Sequence, residues 1–151
     1  MIDALYSTQI LRLAAELPHS GRLPAPEGTG ERVAKLCGSK AIVDVVLDAD
    51  GRVAAFAQDV KACALGQAAA GVLGQTVIGA SAQEIEAARD ALLAMLKSGG
   101  EGPTDRFEGL RALKQVAAYP ARHASTLVSL EATLEAVNAA LVARTRLAGA
   151  A

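Results

Sequence analysis

The chain has 151 residues, 15 basic against 16 acidic side chains, 52% hydrophobic and 3% aromatic residues, no Trp and two cysteines. That length fits one domain spanning residues 1–151 around a single core. A net charge of −1 argues against a nucleic-acid or anionic-membrane surface, both of which need clustered Lys and Arg, and the near-absence of aromatics removes the stacking platform of a single-strand binder.

Much of the apolar content is alanine, and no uninterrupted apolar run approaches the length of a membrane span. Met1 to Tyr6 shows neither a basic start nor a continuous apolar stretch, so a cytoplasmic, reducing location is expected, with both cysteines as free thiols or ligands.

Apolar residues at Ile2, Leu5, Tyr6, Ile10, Leu13, Ala14 and Leu17 predict a first helix that Pro18 stops. The Pro- and Gly-rich stretch from Pro18 to Gly30 reads as an extended linker. A short strand is expected from Arg32 to Leu36, then Lys40 to Leu47 and Arg52 to Lys61 as a hairpin turning through Asp48-Ala49-Asp50-Gly51.

Beyond Lys61 the period changes. Cys63 to Val77 is small and apolar on one face, Gly79 interrupts, and Ser81 to Glu84 forms a capping box opening a helix to Lys97. Gly99 to Pro103 reads as a loop, Thr104 to Ala118 as a helix, and Ala121 to Arg146 as a last helix followed by a frayed alanine-rich tail. A helix, three strands and four helices make an α+β two-layer sandwich, with a three-stranded antiparallel sheet and helices packed on one face.

No phosphate-binding glycine loop and no serine-hydrolase elbow is present. Glu84, Glu86, Asp90, Glu131 and Glu135 read as solvated helix-surface carboxylates, His19 as a loop histidine, and Lys61 and Arg122 as solvated cations. The cysteines remain. Cys37 stands in the turn between two strands and Cys63 where a strand gives way to a helix, whose N-terminus favours a thiolate. They are either two thiols converging at one sheet end or two small buried hydrophobes.

In order and spacing, several short stretches resemble the N-terminal IscU/SufU/NifU family of iron–sulfur cluster assembly scaffolds, and the resemblance spans nearly the whole chain. Pro18-His19-Ser20-Gly21 resembles the family's Pro-Arg-Asn-x-Gly segment, Cys37-Gly38-Ser39 its Cys-Gly-Asp motif, and Asp50-Gly51 with Val53 and Phe56 its strand hairpin. Ala62-Cys63-Ala64-Leu65-Gly66-Gln67-Ala68 resembles Gly-Cys-Ala-Ile-Ser-x-Ala, and Val77-Ile78-Gly79 resembles Ile-x-Gly-Lys. Pro120-Ala121-Arg122-His123-Ala124-Ser125 resembles the Pro-x-Arg-x-x-Cys motif opening the last helix. The cysteine spacing and the loop at Gly99 to Pro103 are similar to the SufU-like branch.

The resemblance implies a site where three cysteines and an aspartate surround zinc or an assembling cluster. Here the aspartate position is Ser39 and the third cysteine, associated in the family with accepting sulfur, is Ser125. The implied ligands are Cys37 and Cys63, with His123 as a possible third metal ligand. The implied cargo is an iron–sulfur cluster, iron or zinc, or neither, and the implied partners are a cysteine desulfurase and apo-protein acceptors. Three functions follow: a scaffold or carrier rather than a catalyst, a zinc-dependent sulfurtransferase, or a metal-free paralogue that binds a partner.

Overall fold

A computed structural model describes residues 7–36 and 38–150. Helix α1 (Thr8–Ala15) opens at Ser7, whose hydroxyl accepts from the Ile10 amide, and ends three residues before Pro18. The part of the expected first helix from Ile2 to Tyr6 lies outside the described residues.

Strands β1 (Gly28–Ala34), β2 (Ser39–Leu47) and β3 (Val53–Lys61) form an antiparallel sheet in that order. Strict alternation sends Ala41, Val43, Val45 and Leu47 of β2 to the inner face, where Phe56 and Val60 of β3 join them in the core. Helices α2 (Ala64–Thr76) and α4 (His123–Ala150) make the second layer, and α3 (Ala82–Ser98) packs on α4. The expected capping box of Ser81 and Glu84 opens α3.

Four boundaries differ from expectation. β1 starts at Gly28, inside the expected linker, and ends before Leu36, which is 83% exposed. The reason is contact with α4: a Cβ on Gly28 would lie 2.1 Å from the Ala136 carbonyl oxygen, and one on Gly30 2.1 Å from that of Ala132. Instead of breaking the chain, these glycines let the helix backbone rest directly on the strand.

Secondly, the segment from Pro18 to Glu27 is a strap rather than a free linker. His19 and Gly21 bond the Gln58 backbone at the edge of β3, and Arg22 then reaches Asp44, a fully buried carboxylate on the outer face of β2. Asp44 also accepts from the Leu23 amide and the Thr29 hydroxyl. Burial opposes its charge, but the Arg22 guanidinium and these two donors hold its carboxyl below the ordinary aspartate value. Glu27 closes the strap through ion pairing with Arg144 on α4.

Thirdly, Asp105–Ala118 is a run of 3₁₀ turns, not an α-helix, with a kink at Phe107. Its buried residues are Phe107, Leu110, Leu113 and Val116. They recur every third position, and three residues per turn is the winding that stacks them in one line.

Lastly, α4 continues through Leu147 to Ala150, where a frayed tail was expected. By length and hydropathy, Pro120–Gly149 could cross a membrane, yet 56% of its most apolar window is buried. Its apolar side packs on β1, β2, α2 and α3, the position of a central core helix.

Candidate functional site

Three element ends meet at the end of the sheet opposite the β2–β3 turn. Ser39 is the first residue of β2, Cys63 is the cap residue ahead of α2, and Ser125 lies in the first turn of α4. Extended backbone at Cys63, with φ −65° and ψ 171°, swings the chain from β3 into α2 and leaves the sulfur at the helix start.

The Ser125 hydroxyl is 3.1 Å from the Cys63 sulfur and 3.0 Å from the Ser39 hydroxyl. Both serines are buried and the cysteine is partly buried. Gly66 makes room for this meeting, since a Cβ there would stand 2.8 Å from Ser125 Oγ. Beside the sulfur a shallow depression of about 400 Å³, lined among others by Gly38, Ser39, Lys61 and Gln67, opens to solvent.

Burial pushes the Cys63 thiol up. The Ser125 hydroxyl, the amides of Gly66 and Leu65 facing the sulfur, and the positive charge of Arg122 more than offset that and hold it below the usual cysteine value. Cys63 is therefore poised toward the thiolate, the form that binds soft metals.

The other expected site residues fall out differently. Cys37 lies outside the described residues. His123 is buried, and its Nε2 is 3.0 Å from the Val116 carbonyl oxygen and 3.2 Å from that of Ala117. His19 belongs to the strap, edge-on to Phe56 with ring centroids 5.9 Å apart. Arg122 acts on Cys63 electrostatically and Lys61 lines the depression, so both cations belong to the site's surroundings. Glu84, expected as a solvated carboxylate, is held by Arg52 and Arg106 as well as by the capping box.

The Ser39–Ser125 bond was missed at the sequence level. Two serines 86 residues apart carry no mark of mutual contact; the signal available was that both occupy positions where ligands were expected. Among the described residues no three His, Cys, Asp or Glu side chains come together in a group that could hold a metal ion. Neutral hydroxyls are poor zinc donors, so this donor set does not fit a closed structural zinc site.

No protein-family model and no curated protein matches the chain. Solved structures do. A nitrogen-fixing NifU-like protein (N-terminal) from Brucella abortus is 41% identical, with a TM-score of 0.89 over 93% of this chain and 96% of the other. A putative iron–sulfur cluster assembly scaffold protein for the SUF system from Fervidobacterium islandicum AW-1 is 20% identical and shares the fold, with a TM-score of 0.79 over 88% of this chain and 96% of that one. With this identity along almost the full length of both chains, and the family's motif positions gathered at one end of the sheet, the protein belongs to the NifU-like N-terminal family of the IscU/SufU/NifU iron–sulfur cluster assembly scaffold fold.

Proposed function

We propose that this protein is a carrier or scaffold of iron–sulfur cluster assembly that holds iron, zinc or a labile cluster as cargo through the thiolates of Cys37 and Cys63. The observation carrying this reading is the convergence of Cys63, Ser39 and Ser125, at the family's ligand positions, around a thiol shifted toward its anion. The partly buried sulfur beside an open depression suits a cargo that enters and leaves. His123 would join the ligand set only by turning the unbonded Nδ1 toward the cargo or surrendering its bonds to Val116 and Ala117.

A [2Fe–2S] cluster normally takes four thiolates, or two with two histidines, so two cysteines leave coordination to be completed from outside the chain. The partners this implies are a cysteine desulfurase as sulfur source and apo-proteins as acceptors, met in a reducing cytoplasm. Ser125 cannot carry a persulfide, which favours a carrier over a zinc-dependent sulfurtransferase.

Anaerobic reconstitution with iron and sulfide, followed by visible absorbance and metal analysis, tests the reading. Expected are cluster absorbance and bound iron that Cys63→Ser reduces. No bound metal, and a Cys63→Ser variant indistinguishable from the parent, would overturn it and favour the second reading, a metal-free binding protein, for which the mutual bonding of Ser39 and Ser125 speaks.

A further inference from the structure

The two positions where this chain departs from the family's ligand pattern are bonded to each other. Ser39 is 2% exposed and Ser125 0%. A hydroxyl left there without a partner would carry the desolvation cost of a buried polar group. Instead Ser125 bridges, with Ser39 Oγ at 3.0 Å and Cys63 Sγ at 3.1 Å. The three side chains come from β2, α4 and the entry to α2, so the bridge ties together elements distant in sequence.

We propose that Ser39, Ser125 and Cys63 form a metal-independent latch that fastens these element ends and fixes the Cys63 sulfur before any cargo arrives. Ser39 and Ser125 are its positioning residues.

Hydrogen-bond chemistry allows the latch to hold in both forms of the sulfur. A thiolate only accepts, so Ser125 then donates to Cys63 and Ser39 donates to Ser125. A thiol donates weakly, and the chain can run the other way, from Cys63 to Ser125 to Ser39. Both contacts survive the reversal. The bridging hydroxyl sits close over Gly66, where an added Cβ would stand 2.8 Å from it, so the first turn of α2 approaches the latch only because this residue has no side chain.

The latch goes beyond the cargo reading and is tested on chelator-treated protein, so its failure is distinct from a failure to load iron. Thermal unfolding of the parent is expected to shift by no more than about 1 °C on chelator treatment. Ser125→Ala is expected to lower the midpoint by roughly 3 to 8 °C with or without chelator. Ser39→Ala should cost less, and the two changes together should fall short of the sum of each alone, because both remove the bond between Ser39 and Ser125.

The positioning role is read from the Cys63 Cβ resonance of selectively labelled protein. It should be single in the parent and shifted or split in Ser125→Ala, but unchanged in Arg22→Ala, which loosens the distant strap. A Ser125→Ala effect that vanishes after chelator treatment, full additivity of the two serine changes, or an unmoved Cys63 resonance would each overturn the latch. Should Ser125→Ala not fold, Ser39→Ala supplies the chelator comparison and the resonance shift, with the same outcomes deciding.

Discussion

His123 Nε2 lies 3.0 Å from the carbonyl oxygen of Val116, at the point where the 3₁₀ run meets α4. With the Ala117 carbonyl 3.2 Å away, both neighbours of this nitrogen are acceptors, so Nε2 carries the proton and donates. Nδ1 is buried without a hydrogen-bond partner among the described residues. The ring joins the end of one element to the start of the helix that carries Ser125.

His123→Ala is accordingly expected to destabilise the fold by about 1 to 3 kcal/mol, since buried carbonyls lose their donor. Iron bound per chain after reconstitution should stay at the parent level. Denaturant unfolding and metal analysis check both, and a loss of iron as large as that of Cys63→Ser would make His123 a ligand instead.

Gly30→Ala should be among the most damaging single changes. The added Cβ meets the Ala132 carbonyl oxygen at 2.1 Å and the Ala136 amide nitrogen at 2.7 Å, and helix backbone cannot swing aside as a flexible side chain can. A loss of about 3 kcal/mol or more is expected in urea unfolding. Gly149→Ala, with nothing within 4 Å, should leave stability unchanged or slightly raised.

Glu84 gives the fold an acid-sensitive tie. Bonding by Arg106 first, opposed by burial and helped by the Ser81 amide and Arg52, lowers its carboxyl from 4.5 to about 2. A lowered folded-state value means stability that is fully present above about pH 4.5 and disappears as pH falls toward 2. Glu84→Gln should therefore unfold more easily at pH 7, by about 1 kcal/mol after allowing for partial solvent exposure. The gap between parent and variant should close between pH 4.5 and 2. A gap that stays constant across that range would show that the carboxylate charge contributes nothing.

Ser125→Cys would place a second sulfur within contact distance of Cys63 and supply a thiolate where the parent has a hydroxyl. Zinc affinity should rise, because thiolate is a far better donor than a neutral hydroxyl. The unfolding midpoint of the variant should then rise on adding zinc by more than that of the parent. Competition with a colorimetric chelator measures the affinity; equal affinities in parent and variant would show that this corner does not reach a bound ion.

The layers of the fold were readable from period, residue type and turn and cap signals. β-Branched residues marked β2, alternation marked β3, and the Ser81 to Glu84 capping box placed the start of α3. What stayed hidden depended on contact between distant residues. Gly28 and Gly30 look like loop residues until Ala132 and Ala136 are known to lie against them. Asp44 looks like a solvated strand residue until Arg22 folds over it. At the site, Cys63 was found from its place at a strand–helix junction, whereas its bond to Ser125 depends on packing between α2 and α4. The winding of Asp105–Ala118 was legible in principle: its apolar residues stand at intervals of three, a spacing that helical and 3₁₀ readings share over one turn but not over four.

That winding also sets a length. The run begins beside Gly79 and Glu84, bonded through Arg106, and finishes beside His123. Beyond the kink at Phe107, the residues from Glu108 to Ala118 rise about 2 Å each and cover about 22 Å, where an α-helix of the same count would stop near 16 Å. The segment thus acts as a spacer between the Gly79–Glu84 corner and His123, at the start of the helix that carries Ser125. Deleting one residue from it would shorten the reach by about 2 Å and turn the remaining stripe by about a third of a revolution, so α4 could no longer start where Ser125 meets Cys63.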